Sequence, residues 1–122
     1  MSLAAIVGAT LALGVGAAHS YLGERCILIR LFRRPDLPHL FGSDVFTRRT
    51  LRFAWHLTTL AWWGLGALLL LLAQDASTAA LGAAIAGTFA ATALLTLLGS
   101  RGRHLAWPVF LGIAAAAWYA TR

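Results

Sequence analysis

Four histidines stand out in a chain that is otherwise sparing with polar side chains: His19, His39, His56 and His104. Neutral imidazole ligates zinc, copper, iron or nickel, holds haem from an axial position, and carries protons near neutral pH. His19, His56 and His104 each lie close to the arginine-bearing end of an apolar segment, so they fall at similar depth. His19 continues the series Ala12, Gly16 by a further three residues, with Ser20 and Gly23 on the same face. His56 aligns with Thr59, Trp63 and Gly66 or Ala67. Both series point toward a neighbouring helix, and facing helix axes lie about 8–10 Å apart. An ionisable group inside a span is costly to bury and is a functional candidate by default. The expectation is a cofactor site near the arginine-rich boundary, with His19 and His56 as metal ligands. Glu24 and His104 are further members, and a metal, haem or quinone is the occupant.

The spacing matches no established metal signature. His19 and Glu24 lie roughly 140° apart on a helix of 3.6 residues per turn, so they cannot chelate together from one helix. A plainer reading stands beside the site. His39 and His104 are solvated or interfacial, and His56 bonds a hydroxyl or carbonyl of the next helix. Glu24 pairs with an arginine, Asp36 and Asp44 serve turns and caps, and Cys26 is a small interfacial hydrophobe. With one cysteine the chain has no internal disulfide.

The elements that must position these groups are four apolar runs, at about 3–22, 53–73, 76–98 and 105–120. Roughly 20 apolar residues cross the hydrocarbon core of a bilayer as a helix. The composition agrees: 60% of the 122 residues are apolar and 11% are charged, against about 25% charged in soluble domains. The expected fold is therefore all-α, a polytopic four-transmembrane-helix bundle forming one domain over residues 1–122. Four helices and their loops use the whole length, which leaves no room for a soluble catalytic domain. The first run lacks a basic n-region and is longer than a signal-peptide core, so it is expected to be a retained span. In the connection 23–52, the segment 26–32 extends the first helix or lies along the interface. Pro35 and Pro38 then interrupt regularity, and a helix capped by Ser43 or Asp44 leads into the second span.

The net charge of +6 is carried by ten arginines and no lysine. They cluster at the ends of the apolar runs, which excludes a nucleic-acid-binding face and sets orientation instead. Connections 23–52 and 99–104 are basic, whereas the second connection carries only Gln74 and Asp75. By the positive-inside rule the basic connections are cytoplasmic and both termini lie outside. Arginine and alanine usage without lysine fits a GC-rich bacterial genome, hence a bacterial inner membrane. Arg30, Arg33, Arg34, Arg48, Arg49 and Arg52 are expected to meet anionic headgroups, each worth about 1 kcal/mol near the surface.

Small residues recur every four positions in the first span (Ala4, Gly8, Ala12, Gly16), the third (Ala79, Ala83, Gly87, Ala91) and the fourth (Gly112, Ala116, Ala120). In lipid, association depends on close backbone approach, so these stripes serve packing within the bundle or between copies. Thr88, Thr92, Thr96 and Ser100 form a polar ladder, read either as hydroxyls bonding back one turn or as a track for a proton or solute. Trp62 and Trp63 lie mid-span and need partners for their indole N–H groups. No catalytic motif of known specificity is present. Function is expected to rest on association, as a homo-oligomer or an accessory subunit of a membrane complex. The alternative is the histidine cofactor site, and a weaker one is a small oligomeric transporter or channel.

Overall fold

The computed structural model describes residues 2–122, and they form four helices and no strand. Helix α1 spans Leu3–Leu31, α2 Val45–Leu72, α3 Thr78–Ser100 and α4 Ala106–Ala120. The first three are 29, 28 and 23 residues long and apolar enough to cross a membrane. At 1.5 Å per residue they reach about 43, 42 and 34 Å, beyond the ~30 Å of hydrocarbon. Helix α4 is equally apolar but has 15 residues, about 22 Å. Pro108 is its third residue, where no intrahelical amide donor is lost.

Local chemistry sets the ends. The Ser2 hydroxyl accepts from the Ala5 amide and Ser77 from Ala80, each at 3.2 Å, so α1 and α3 start on serine caps. Asp44 occupies the cap position of α2, but its carboxylate bonds the Arg48 side chain instead of an amide. Helices α2 and α3 stop in the same way. Asp75 and Arg101 adopt left-handed φ of 51° and 52°, and the amides of Ala76 and Gly102 reach back to the Leu71 and Leu97 carbonyls at 3.0 and 2.8 Å. This double closure satisfies carbonyls that the helix end would orphan.

Helix α1 is interrupted by a wide π turn over Gly23–Leu28, closed by the Ile29 amide on the Glu24 carbonyl five residues earlier. Segment 26–32 thus prolongs the first helix rather than forming a separate interfacial piece. The chain then turns through Phe41 and Gly42, both at positive φ, between paired Leu40 and Ser43. Thr47 ties the loop back by donating to the Pro38 carbonyl at 2.7 Å.

The helices pack in chain order, α1 on α2, α2 on α3 and α3 on α4, with no α1–α4 contact among the described residues. The bundle is open on that side. At most 22% of each apolar window is buried by the chain itself, so most of the lateral surface requires apolar surroundings.

Candidate functional site

The α1–α2 seam concentrates the unusual chemistry of the molecule. Trp55, Thr59 and Trp63 repeat every four residues and form one face of α2. They donate to main-chain carbonyls of antiparallel α1 that repeat every three: Trp55 Nε1 to His19 O at 3.0 Å, Thr59 Oγ1 to Gly16 O at 3.0 Å, and Trp63 Nε1 to Leu13 O at 3.2 Å. A helix carbonyl keeps a second lone pair after its intrahelical bond, so these rungs weaken nothing in α1. They also give the mid-span Trp63 indole its partner in a medium without water. Close approach is the condition. A Cβ on Gly16 would stand 2.5 Å from Trp63 Nε1, one on Gly8 would meet Leu69 at 2.7 Å, and Gly66 faces Ala12. At Gly23 a Cβ would collide with the Trp55 indole.

His19 belongs to this seam. Its ring stacks on Trp55 with centroids 4.6 Å apart and planes 2° from parallel, and Trp62 closes edge-on at 5.0 Å. His19 Nε2 donates to the Trp55 carbonyl at 3.3 Å, reciprocating the Trp55 bond to the His19 carbonyl. A carbonyl accepts only, so Nε2 carries the proton and Nδ1 is bare in the neutral ring. The stack forms one wall of an apolar groove of about 490 Å³ between α1 and α2, with Val15, Leu22, Cys26 and Trp62 among its lining.

His56 faces another set of partners. Its Nδ1 is 2.8 Å from Ser20 Oγ, which lies 2.7 Å from Thr59 Oγ1, and its Nε2 is 3.5 Å from Glu24. Glu24 is also bound by Arg52 at 3.0 Å, and Arg52 lies over the Phe32 ring at 4.9 Å. Ser20 and Glu24 are one turn apart on α1, so both present to His56. Counting hydrogens orders the chain of contacts. Thr59 uses its proton on the Gly16 carbonyl, Ser20 must then donate to Thr59, and His56 Nδ1 must donate to Ser20.

The two histidines expected to share a site are therefore engaged separately, His19 by Trp55 and His56 by Ser20 and Glu24. Among the described residues no three of His, Cys, Asp and Glu converge as a metal set. The nearest ligand-type pair is Glu24 with His56, which links two helices and leaves coordination far from complete. His104 packs in an aromatic cluster, 5.3 Å from Phe53 and 6.1 Å from Phe46, and its Nδ1 accepts the Ala106 amide at 3.4 Å. His39 lies in the exposed connection.

The arginines divide by partner. Arg34 grips Asp36 bidentately and Arg48 grips Asp44. Both carboxyls are held below the ordinary 3.8, chiefly by these hydrogen bonds. Arg30, Arg33 and Arg49 make no ion pair among the described residues. On α3, Thr88, Thr92, Thr96 and Ser100 each donate to the carbonyl four residues earlier at 2.7–2.9 Å. That places their protons within one helix and forms no file of open donors. Gly87 and Gly112 have nothing within 4 Å of a built Cβ, so they face away from the chain. The α3 residues turned inward are Gly82, Ala86, Thr92, Ala93, Thr96 and Ser100 instead.

The role of Trp55 as the stacking and bonding partner of His19 was not read from the sequence. The four-residue repeat of Trp55, Thr59 and Trp63 was the available signal. The π turn at Gly23 had none beyond the glycine. Comparison with protein-family models, curated proteins and solved structures gives no match, so the functional reading rests on this geometry.

Proposed function

We propose that the chain is a multi-pass membrane protein that acts by lateral association, with a second copy or as an accessory subunit of a membrane complex. One observation carries the reading: the small-residue faces of α3 and α4, at Gly87, Ala91, Gly112 and Ala116, are exposed and turned away from the chain's own helices. In lipid such faces favour helix association through backbone approach, and the open side between α1 and α4 leaves room for a partner. In this reading α4 crosses with the other three, the arginine-rich connections lie in the cytoplasm of a bacterial cell and the termini lie outside. The test is particle mass in mild detergent by light scattering. Wild type is expected to exceed one chain, and Gly87→Leu or Gly112→Leu to reduce it. A wild type with the mass of one chain and no stable partner refutes the reading. Accessibility of cysteines placed at Arg33 and Arg101 tests sidedness.

A second reading has its own support. The stacked His19–Trp55 pair offers a bare Nδ1 beside an apolar groove open to the hydrocarbon, suited to a quinol hydroxyl or an axial metal bond. A visible spectrum and metal content lost in His19→Ala would favour it. A colourless, metal-free and quinone-free preparation would eliminate it.

A further inference from the structure

We propose that the groove between α2 and α3 seats one anionic glycerophospholipid, with its phosphate on Arg49 and an acyl chain along Leu60, Ala91, Leu94 and Leu98. The groove has two adjoining parts. Its mouth, about 280 Å³, is walled by Arg49, Arg52, Phe53, His56, Leu95 and Gly99. A deeper part of about 260 Å³ is walled by Leu60, Ala91, Leu94, Leu95 and Leu98 alone. Leu95 lines both, so a cationic mouth adjoins purely apolar walls along the same helix pair.

The sequence builds this amphipathic trough from helical spacing. Arg49, Phe53, His56 and Leu60 follow one another by four, three and four residues, which keeps them on one stripe of α2. From Arg49 to Leu60 the stripe rises about 16 Å, close to half of a ~30 Å hydrocarbon core. The trough therefore has the depth of one leaflet. Gly99 forms its floor at the mouth, where a Cβ would come within 2.6 Å of Phe53 Cβ.

Charge decides the class of occupant. Glu24 neutralises Arg52, and Asp44 neutralises Arg48. Arg49, half-buried beside them, has neither an ion pair nor a side-chain hydrogen bond among the described residues. The mouth is left with one uncompensated guanidinium, a planar donor fork that matches a phosphodiester bidentately. A headgroup with a single negative charge and no cation complements it; the Glu24 carboxylate, lying against His56, disfavours a second negative charge. Phosphatidylglycerol has this chemistry. The trough and the association face share Ala91 but not Arg49, so loss of lipid in Arg49→Gln at unchanged particle mass separates lipid binding from association.

The test uses the full chain, delipidated in mild detergent, with native mass spectrometry during titration by phosphatidylglycerol, phosphatidylcholine or inorganic phosphate. We expect one tightly held phosphatidylglycerol per chain, weaker phosphatidylcholine and no retained inorganic phosphate. Arg49→Gln removes a charge-assisted contact and Ala91→Trp fills the apolar part. Each is expected to weaken retention about tenfold or more, while Arg33→Gln, in the exposed connection, changes it less than about twofold. Leu98→Trp, on the exposed groove wall, substitutes for Ala91→Trp if that variant loses its helical circular dichroism. Equal losses in Arg33→Gln and Arg49→Gln overturn the proposal, since they mean diffuse attraction. So does unchanged retention after the groove is filled, equal binding of phosphatidylcholine, or binding of phosphate alone.

Discussion

Replacing Gly23 by alanine tests whether the α1–α2 seam is held by close approach at the π turn. A methyl there overlaps the Trp55 indole, which cannot swing aside without breaking its bond to the His19 carbonyl and its stack on the His19 ring. An interhelical hydrogen bond within a membrane contributes about 0.6–1.7 kcal/mol, and an aromatic stack about 0.5–1.5 kcal/mol. Overpacking strain adds about 1–3 kcal/mol. Against these stands the helix-propensity gain of alanine over glycine, about 1 kcal/mol. The net expectation is a loss of about 1–5 kcal/mol. The comparison is Gly14→Ala, where open space leaves only the propensity gain and stability should rise by up to about 1 kcal/mol. Both variants are read by unfolding in mixed micelles with increasing sodium dodecyl sulfate, followed by circular dichroism and tryptophan emission. Adding Trp55→Phe relieves part of the overlap and removes the N–H, so the double variant should be less damaged than the sum of the single ones. Equal effects of alanine at Gly23 and Gly14, or strict additivity with Trp55→Phe, would refute the close-approach reasoning.

Thr59→Val should lower stability in the same assay by about 1–3 kcal/mol, since it strips the Gly16 carbonyl of a rung and leaves Ser20 short of a partner; no change would mean the rung is idle. Thr96→Val should change stability by less than about 1 kcal/mol although the side chain is fully buried, because its hydroxyl serves only its own helix. Asp36 and Asp44 should titrate below 3.8 by carboxyl NMR, and Arg48→Gln should raise Asp44 alone. Folding depresses these two groups, so their contribution is present at neutral pH and is lost as pH falls through their lowered folded values. An Asp44 titration unmoved by Arg48→Gln would exclude the pairing.

Much of the fold is legible in the chain because lipid imposes a severe rule: every backbone polar group must be satisfied within its own segment. Long apolar runs punctuated by Gly-Ser-Arg-Gly or Gln-Asp then have few options besides helices and tight turns. The continuation from Val45 into the second span follows from the same logic, and so does the back-bonding of the Thr88 ladder. The candidate site is legible only in part. Ser20, Glu24, His56 and Thr59 are evident as polar groups of similar depth, yet their grouping depends on which carbonyls of α1 face α2.

Composition and periodicity thus determine the solvent, the helices and the polar inventory of this protein. Only the tertiary structure decides that His19 and His56 serve different partners, that Gly8 and Gly16 pack inside the chain while Gly87 and Gly112 look outward, and that the bundle stays open. The reason is geometric. A repeat of four fixes which residues share a face, but the rotation of each helix about its axis is set by its neighbour. Here that rotation is set by the rungs from Trp55, Thr59 and Trp63 and by the wide turn at Gly23.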